Sequence, residues 1–249
     1  MGTNIENKVI LITGGAKRVG AAICRLLHSN GANLMIHYRS SVNEARALQS
    51  ELNLKRPNSV AIIQGDLLNL AVLPTLIQET VQHFGKLDVL INNASSYYST
   101  ELGAINEEAW QDLMGSNLKA PLFLSQAAAN ELRRQQGCIV NITDMHVERP
   151  KKGYIVYSVA KSGLVTLTKS LAHELGPDVR VNAVAPGPTE TEMILGLAPE
   201  MVEALVRTIP IGRLATTDEV ASAIVFLVSD RSGSTTGETL NINGGAFMI

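Results

Sequence analysis

KVILITGGAKRVGAAICRLLHSNG, Lys8 to Gly31, is the stretch on which the fold turns. It opens with KVILIT (8–13), a short apolar run of the kind a strand covered on both faces requires. RVGAAICRLLHSNG follows with apolar residues at helical spacing, and Gly31 stands after the last turn, where a left-handed cap suits glycine. Between the two lies LITGGAKRVGAA. A glycine turn that leaves a strand and opens a helix aims backbone N–H groups and the helix dipole at one point, and glycines let an anion approach closely. The stretch therefore predicts a βα unit suited to a dinucleotide pyrophosphate, with Gly14, Gly15 and Gly20 in the turn.

The same rhythm repeats outward from this unit. Strand-like runs recur at NLMIHY (33–38), SVAIIQG (59–65), LDVLIN (87–92), GCIVNIT (137–143), VRVNAVA (179–185) and ETLNIN (238–243). Amphipathic stretches separate them, such as LAVLPTLIQETVQHFG, which closes on Gly85. Apolar strands alternating with helices predict an α/β fold: one Rossmann-type, doubly wound domain over residues 1–249, around a seven-stranded, mainly parallel sheet. Only residues 188–215 break the alternation. Long irregular segments in compact folds tend to be functional, so these residues are expected to form a substrate-binding flap.

The bulk composition narrows the function. A chain of 249 residues with 45% hydrophobic content can bury one sizeable core. Its net charge of −2 supplies no excess of cations for nucleic-acid phosphates. Cys24 and Cys138 are too few for a disulfide framework or a cysteine metal site and are expected as reduced core residues. The start, MGTNIENKVI, lacks the features of a signal peptide, and no apolar run is long enough to span a membrane. Met1-Gly2 satisfies the start of a myristoylation signal, yet one acyl chain anchors weakly, and a cytoplasmic enzyme is expected. The five histidines show no metal spacing. His146 is expected on a solvent-facing loop, RPKK (149–152) as a solvated basic turn, and Trp110 as buried packing.

The cofactor type is legible after the second strand. An NAD site places an acid there for the ribose 2′-hydroxyl, but MIHYRSS offers Arg39, Ser40 and Ser41 instead, with Lys17 in the neighbouring turn. A guanidinium fork and hydroxyls suit a 2′-phosphate, so NADP(H) is expected. Arg18 stands where a small residue is usual. It either reaches the pyrophosphate, points at an acceptor-rich substrate, or is solvated in the first turn.

YSVAK (157–161) sets Tyr157 and Lys161 four residues apart, on one face of a helix. A phenol is a poor acid–base group near neutrality until a cation lowers its pKa, and Lys161 is expected to do that. With the glycine turn, NNAS (92–95) and PGPTET (186–191) in the same order, the sequence resembles the short-chain dehydrogenase/reductases over essentially its whole length. The resemblance implies an NADPH/NADP+ site formed by Gly14, Lys17, Arg18, Val19, Tyr38, Arg39 and Ser40. Asp66 would lie against the adenine, Asn92 and Ala94 along the groove, and Pro186 and Gly187 beside the nicotinamide. Tyr157 would be the acid, Lys161 its activator and ribose ligand, and Asn117 the support of a proton-relay water. It also implies a homotetramer assembled through the helices carrying Asn117 and Tyr157 and through the C-terminal segment, although the sequence leaves a dimer open.

One position departs from the family pattern. Thirteen residues before the tyrosine, where most members carry a serine, stands Asp144. An ionised carboxylate beside a ketone oxygen opposes the negative charge that hydride attack creates, whereas it suits a ligand presenting N–H groups. The pteridine reductases of the family are similar here. They share an arginine in the glycine turn (Arg18), the aspartate (Asp144), an NNASS segment with an aromatic (Ser95 toward the ligand, Tyr97 as a lid) and HYRS after the second strand. The expected function is thus NADPH-dependent reduction of a dihydropterin, and possibly dihydrofolate, at a C=N bond. Substrate contacts are expected from Arg18, Ser95, Tyr97, Asp144 and Tyr157. The alternatives are a general carbonyl reductase of 3-oxoacyl thioesters or sugars, and a non-catalytic NADP(H)-sensing scaffold.

Overall fold

The computed structural model describes residues 4–248, so Met1-Gly2 lies outside the described residues. Seven strands form one sheet: β1 (Val9–Ile12), β2 (Asn33–Tyr38), β3 (Val60–Gln64), β4 (Val89–Asn92), β5 (Cys138–Ile142), β6 (Arg180–Pro186) and β7 (Thr239–Ile242). Their order is β3-β2-β1-β4-β5-β6-β7, and every pairing is parallel. Each expected strand is present, shifted at its ends by two residues at most. The order turns back between β1 and β4, which opens a crevice beyond the carboxyl ends of those strands.

Helices cover both faces. They are α1 (Arg18–Ser29), α2 (Val42–Lys55), α3 (Leu73–Phe84), α4 (Glu107–Met114), α5 (Ala120–Arg134), α6 (Ile155–Leu175), α7 (Glu192–Leu195), α8 (Pro199–Val206) and α9 (Thr217–Val228). Because strand side chains alternate, Ile10 and Ile12 of β1 enter a layer with Ile23, Leu27 and Ile224. Leu11 enters the opposite layer with Leu76, Leu124 and Leu132. Full burial of each such side chain contributes about 1.5–3 kcal/mol. This explains why β1 reads as continuously apolar: both of its faces are core.

Two local features aim the site. Between α4 and α5 the chain passes through a π-type turn, Gly115–Lys119, in which Asn117 is fully buried. Such insertions reset the helix phase and gather at functional sites. Residues 188–215 carry the short helices α7 and α8 and expose Met193, Leu195, Leu197 and Met201. Trp110 differs from expectation. It is 42% exposed on α4, because the inner face of that helix is taken by Leu113. Cys24 and Cys138 are free and buried, and burial pushes both thiols up from their ordinary value. Among the described residues no helix is long and apolar enough to cross a membrane, and no cluster of residues could hold a metal ion.

Candidate active site

The glycine turn is shaped by what cannot fit there. Gly14 adopts φ +61°, and a Cβ on it would lie 3.0 Å from the Ala94 Cα; one on Gly20 would overlap the Gly14 carbonyl oxygen. Two side chains tie the turn to the sheet. The Thr13 hydroxyl accepts the backbone N–H groups of Asn93 and Ala94, each at 3.0 Å. The Asn93 amide donates back to the Thr13 and Gly14 carbonyls at 2.9 and 3.0 Å. Asn93, not Asn92, therefore reaches the groove. The Asn92 side chain is buried beneath it, donating to Asn141 Oδ1 at 2.9 Å, because alternation along β4 turns it inward.

His37 is a tie that the sequence reading missed. Its Nδ1 accepts the Gly14 N–H at 3.2 Å, and its Nε2 donates to the Gly65 carbonyl at 3.0 Å. Burial drops its pKa to about 4, so the ring stays neutral and keeps one acceptor for the turn. The HY pair in HYRS carries this signal, but only the fold shows that the histidine faces back toward the glycines.

A cleft of about 670 Å³ runs from this turn across the strand ends. Gly14, Lys17, Arg18, Val19, Tyr38, Arg39, Ser40, Asp66, Ala94 and Ser95 of the expected site all line it, joined by Ser41, Asn93, Ser96, Thr191 and Met193. The donor set fits a dinucleotide: bare backbone at the glycines, and Lys17, Arg39, Ser40 and Ser41 grouped where a ribose phosphate would lie. Lys17 is paired to Glu44 at 2.6 Å and Arg39 to Asp112 at 4.0 Å, both at largely exposed positions. Arg18 is exposed, takes the left-handed backbone (φ +51°), and makes no hydrogen bond or ion pair with other described residues.

Asp144 follows the end of β5 and borders a separate cavity of about 200 Å³ with Thr143, Met145 and Lys169, and the first turn of α6 delivers Tyr157. The Tyr157 hydroxyl donates to Asp144 Oδ2 at 2.7 Å. Burial and then the Asp144 charge push the phenol pKa well above its ordinary value, with the Ser95 hydroxyl opposing. Burial alone would raise the Asp144 carboxyl. The hydrogen bonds and charge of His146 and the bond from Tyr157 outweigh it, and the net shift is downward. The pair is thus a carboxylate holding a protonated phenol.

Lys161 lies on the same face of α6 as Tyr157. Its buried ammonium donates to the Ile142 carbonyl at 2.7 Å and lies 5.8 Å from the Tyr157 ring centre. Burial brings its pKa down to about 8, so its charge is itself expensive, and Asp144 rather than Lys161 dominates the charge acting on the phenol. Asn117 donates to the Leu113 and Ser96 carbonyls at 2.9 and 3.0 Å and accepts the Ser95 hydroxyl at 2.7 Å. It thereby fixes Ser95 beside the site. Tyr97 stacks on Tyr154 and meets Tyr157 edge-on, each at 4.8 Å between ring centres. It is a packed wall of the pocket rather than a free lid. Pro186 ends β6, and the Gly187 N–H donates to Ile242 at 2.9 Å; a Cβ on Gly187 would lie 3.3 Å from Met145 Sδ, just past Asp144.

Two residues read as solvent-facing from the sequence belong to the site. His146 Nδ1 lies 2.7 Å from Asp144 Oδ1, which also accepts the His146 backbone N–H at 2.7 Å. Lys151 donates to the Tyr97 hydroxyl at 3.2 Å and sits 4.3 Å above the Tyr154 ring. The i, i+2 step from Asp144 to His146 is the one sequence signal that could have flagged the first. It requires the tight turn Met145–Val147 that Asp144 caps.

Comparison with known proteins bears on the family, and the relatives it brings out are named as reductases of 3-oxoacyl thioesters. The family model described as enoyl-(acyl carrier protein) reductase matches residues 14–246. The 3-oxoacyl-[acyl-carrier-protein] reductase FabG of Staphylococcus aureus is 34% identical over 243 residues, covering 97% of this chain and 98% of that protein. An acetoacetyl-CoA reductase of Acinetobacter is 34% identical over 247 residues, covering 98% and 99%. A solved structure from Brucella melitensis, titled short-chain dehydrogenase/reductase SDR:Glucose/ribitol dehydrogenase, superposes with a TM-score of 0.94 at 28% identity over the full length of both chains.

Proposed function

Since the chain belongs to the short-chain dehydrogenase/reductase family and is an oxidoreductase of the NAD(P)H-using kind, we propose that it is an NADPH-dependent pteridine reductase, reducing a dihydropterin at a C=N bond. NADPH supplies the hydride. The observation that carries the substrate class is Asp144, ionised and bonded to the catalytic hydroxyl at 2.7 Å. A ketone acquires negative charge on oxygen as hydride arrives, next to the Tyr157 hydroxyl and hence near this carboxylate. Two like charges about 4 Å apart at an effective dielectric near 20 repel by about 4 kcal/mol. That is roughly a thousandfold in rate. A pterin reverses the sign: its amino and N3 groups donate to the carboxylate, and its ring nitrogen takes the proton that Tyr157 holds. The wall of Tyr97 and Tyr154 gives a flat heterocycle a face to lie against. Arg18, free of other partners among the described residues, can order phosphates or the ring edge.

The alternative is reduction of a 3-oxoacyl thioester, the activity named for the relatives at 32–34% identity. The two readings separate in one assay. NADPH consumption is measured with dihydrobiopterin and with acetoacetyl thioester, in wild type and in Asp144→Ser. On the pterin reading wild type turns over dihydrobiopterin, and Asp144→Ser loses about a hundredfold or more of kcat/KM with NADPH affinity within about twofold. Preference of wild type for the thioester, or unchanged pterin turnover in Asp144→Ser, rejects the reading.

The protein is further proposed to act as a homotetramer. Leu122 on α5 and Ile155 and Val159 on α6 leave apolar surface of the kind that buries between copies. A sedimentation experiment giving a monomer would reject that.

A further inference from the structure

The aromatic wall of the pocket carries a cation at its outer edge. The Lys151 ammonium donates to the Tyr97 hydroxyl at 3.2 Å and lies 4.3 Å from the centre of the Tyr154 ring. Tyr97 in turn meets Tyr157 edge-on at 4.8 Å, and Asp144 holds the Tyr157 hydroxyl at 2.7 Å. Burial falls along the same line: Tyr157 is buried, Tyr97 and Tyr154 are half-buried, and Lys151 is exposed. From inside outward the order is therefore a carboxylate, the catalytic hydroxyl, two stacked rings and an ammonium. Lys151 makes no contact with Tyr157 itself, so it stands a ring further out than the phenol. It can meet a substituent of a bound substrate, and not the reacting ring.

The ammonium has no acid of its own. Glu148 stands on the same loop, and Glu101 lies against Gly153 and accepts the Ser99 hydroxyl at 3.3 Å. Neither of them, nor any other acid among the described residues, pairs with Lys151. Arg149 and Lys152 beside it are exposed and add to the positive field. The cation is also held before any ligand arrives. The Tyr154 N–H donates to the Lys151 carbonyl at 3.1 Å, and the next turn is tied down where Gly153 accepts the Thr100 N–H and the Ser99 hydroxyl. A charged side chain already fixed on a ring loses little further freedom when it takes an anion. We propose that Lys151 is a specificity-determining residue that holds an anionic group, a carboxylate or a phosphate, at the end of the substrate's substituent, while Asp144 reads the N–H edge of its ring. The proposal rests on the pteridine reading and narrows it, from any dihydropterin to those whose substituent ends in negative charge. An uncharged substituent leaves the ammonium to water.

The test follows NADPH absorbance with dihydropterins that share the reacting ring: dihydrobiopterin, whose side chain is uncharged, dihydrofolate, which ends in carboxylates, and dihydroneopterin monophosphate. The quantity read is kcat/KM for each charged substrate divided by that for dihydrobiopterin. Lys151→Gln keeps a donor for the Tyr97 hydroxyl and removes the charge, whereas Lys151→Arg keeps the charge. The ratio is expected to fall about fivefold or more in Lys151→Gln, through KM and not kcat, and to stay within about twofold of wild type in Lys151→Arg. Added salt should lower the ratio in wild type and leave it unchanged in Lys151→Gln, because only the former has a charge to screen. A fall confined to one charged substrate supports the proposal and identifies which anion Lys151 holds. Ratios within about twofold of wild type for both charged substrates in Lys151→Gln overturn it, since a lysine that only packs the wall gives that result; the pteridine reading then stands. A wild type that reduces acetoacetyl thioester and none of the dihydropterins rejects that reading and the proposal with it.

Discussion

Acidification should loosen this protein through His37, and the size of the effect follows from the site. The ring sits between the glycine turn and β3's end, neutral, with both nitrogens bonded. Its pKa falls from 6.5 to about 4 on folding, because burial disfavours the charged ring. As pH drops below 6.5 the unfolded chain takes up a proton that the folded chain refuses. The stability tied to the neutral ring is complete above pH 6.5 and is lost progressively until about pH 4. A tenfold difference in proton affinity between the two states corresponds to about 1.4 kcal/mol, so the loss is about 2 kcal/mol by pH 5 and about 3 kcal/mol in full. For a chain of this size that is about 4–8 °C in Tm by pH 5. Carboxylates also titrate in this range, so the informative quantity is a difference. Urea unfolding of wild type and of His37→Gln is compared at intervals from pH 7 to pH 5. The glutamine keeps an acceptor for the Gly14 N–H but cannot titrate. Wild type should lose about 2 kcal/mol more than the variant across that interval. Parallel curves would show that the ring is not held neutral by burial, and the argument for its grip on the turn would fail with it.

Two further outcomes test the cofactor cleft. Gly20→Ala places a methyl group against the Gly14 carbonyl, and NADPH affinity measured by fluorescence titration should drop at least tenfold (about 1.4 kcal/mol or more), with the fold retained by circular dichroism. Arg39→Ala should weaken NADPH about tenfold and leave NADH within about twofold, since only the former carries the phosphate a guanidinium would hold. Equal losses for both cofactors would place Arg39 elsewhere.

The site divides unevenly between what the chain announces and what the fold arranges. Tyr157, Lys161, Asp144 and the glycine turn were legible because their chemistry depends on residue type and on spacings along one element: four on a helix, three glycines between a strand and a helix. Asn92 and Asn93 show the limit. Adjacent asparagines are equivalent in sequence, and only the pleat of β4 decides that one is buried against Asn141 while the other grips the turn. Lys161 shows another: four residues from the tyrosine puts it on the same face, and only the fold shows that its ammonium also holds the Ile142 carbonyl.

Residue order alone sets the alternation of strands and helices, the continuous apolarity of β1 that demands helices on both sides, and the presence of an acid thirteen residues before the tyrosine. These are properties of local pattern, and local pattern is what hydrophobic periodicity and turn chemistry record. It took the folded chain to bring Asp144 to Tyr157, to close His146 behind it, and to turn His37 back to Gly14. Two of these contacts join segments 13 and 23 residues apart, and in the third a tight turn folds His146 back by only 2. Ionisation there depends on burial and on hydrogen-bond partners, which exist only once the sheet has brought those segments together.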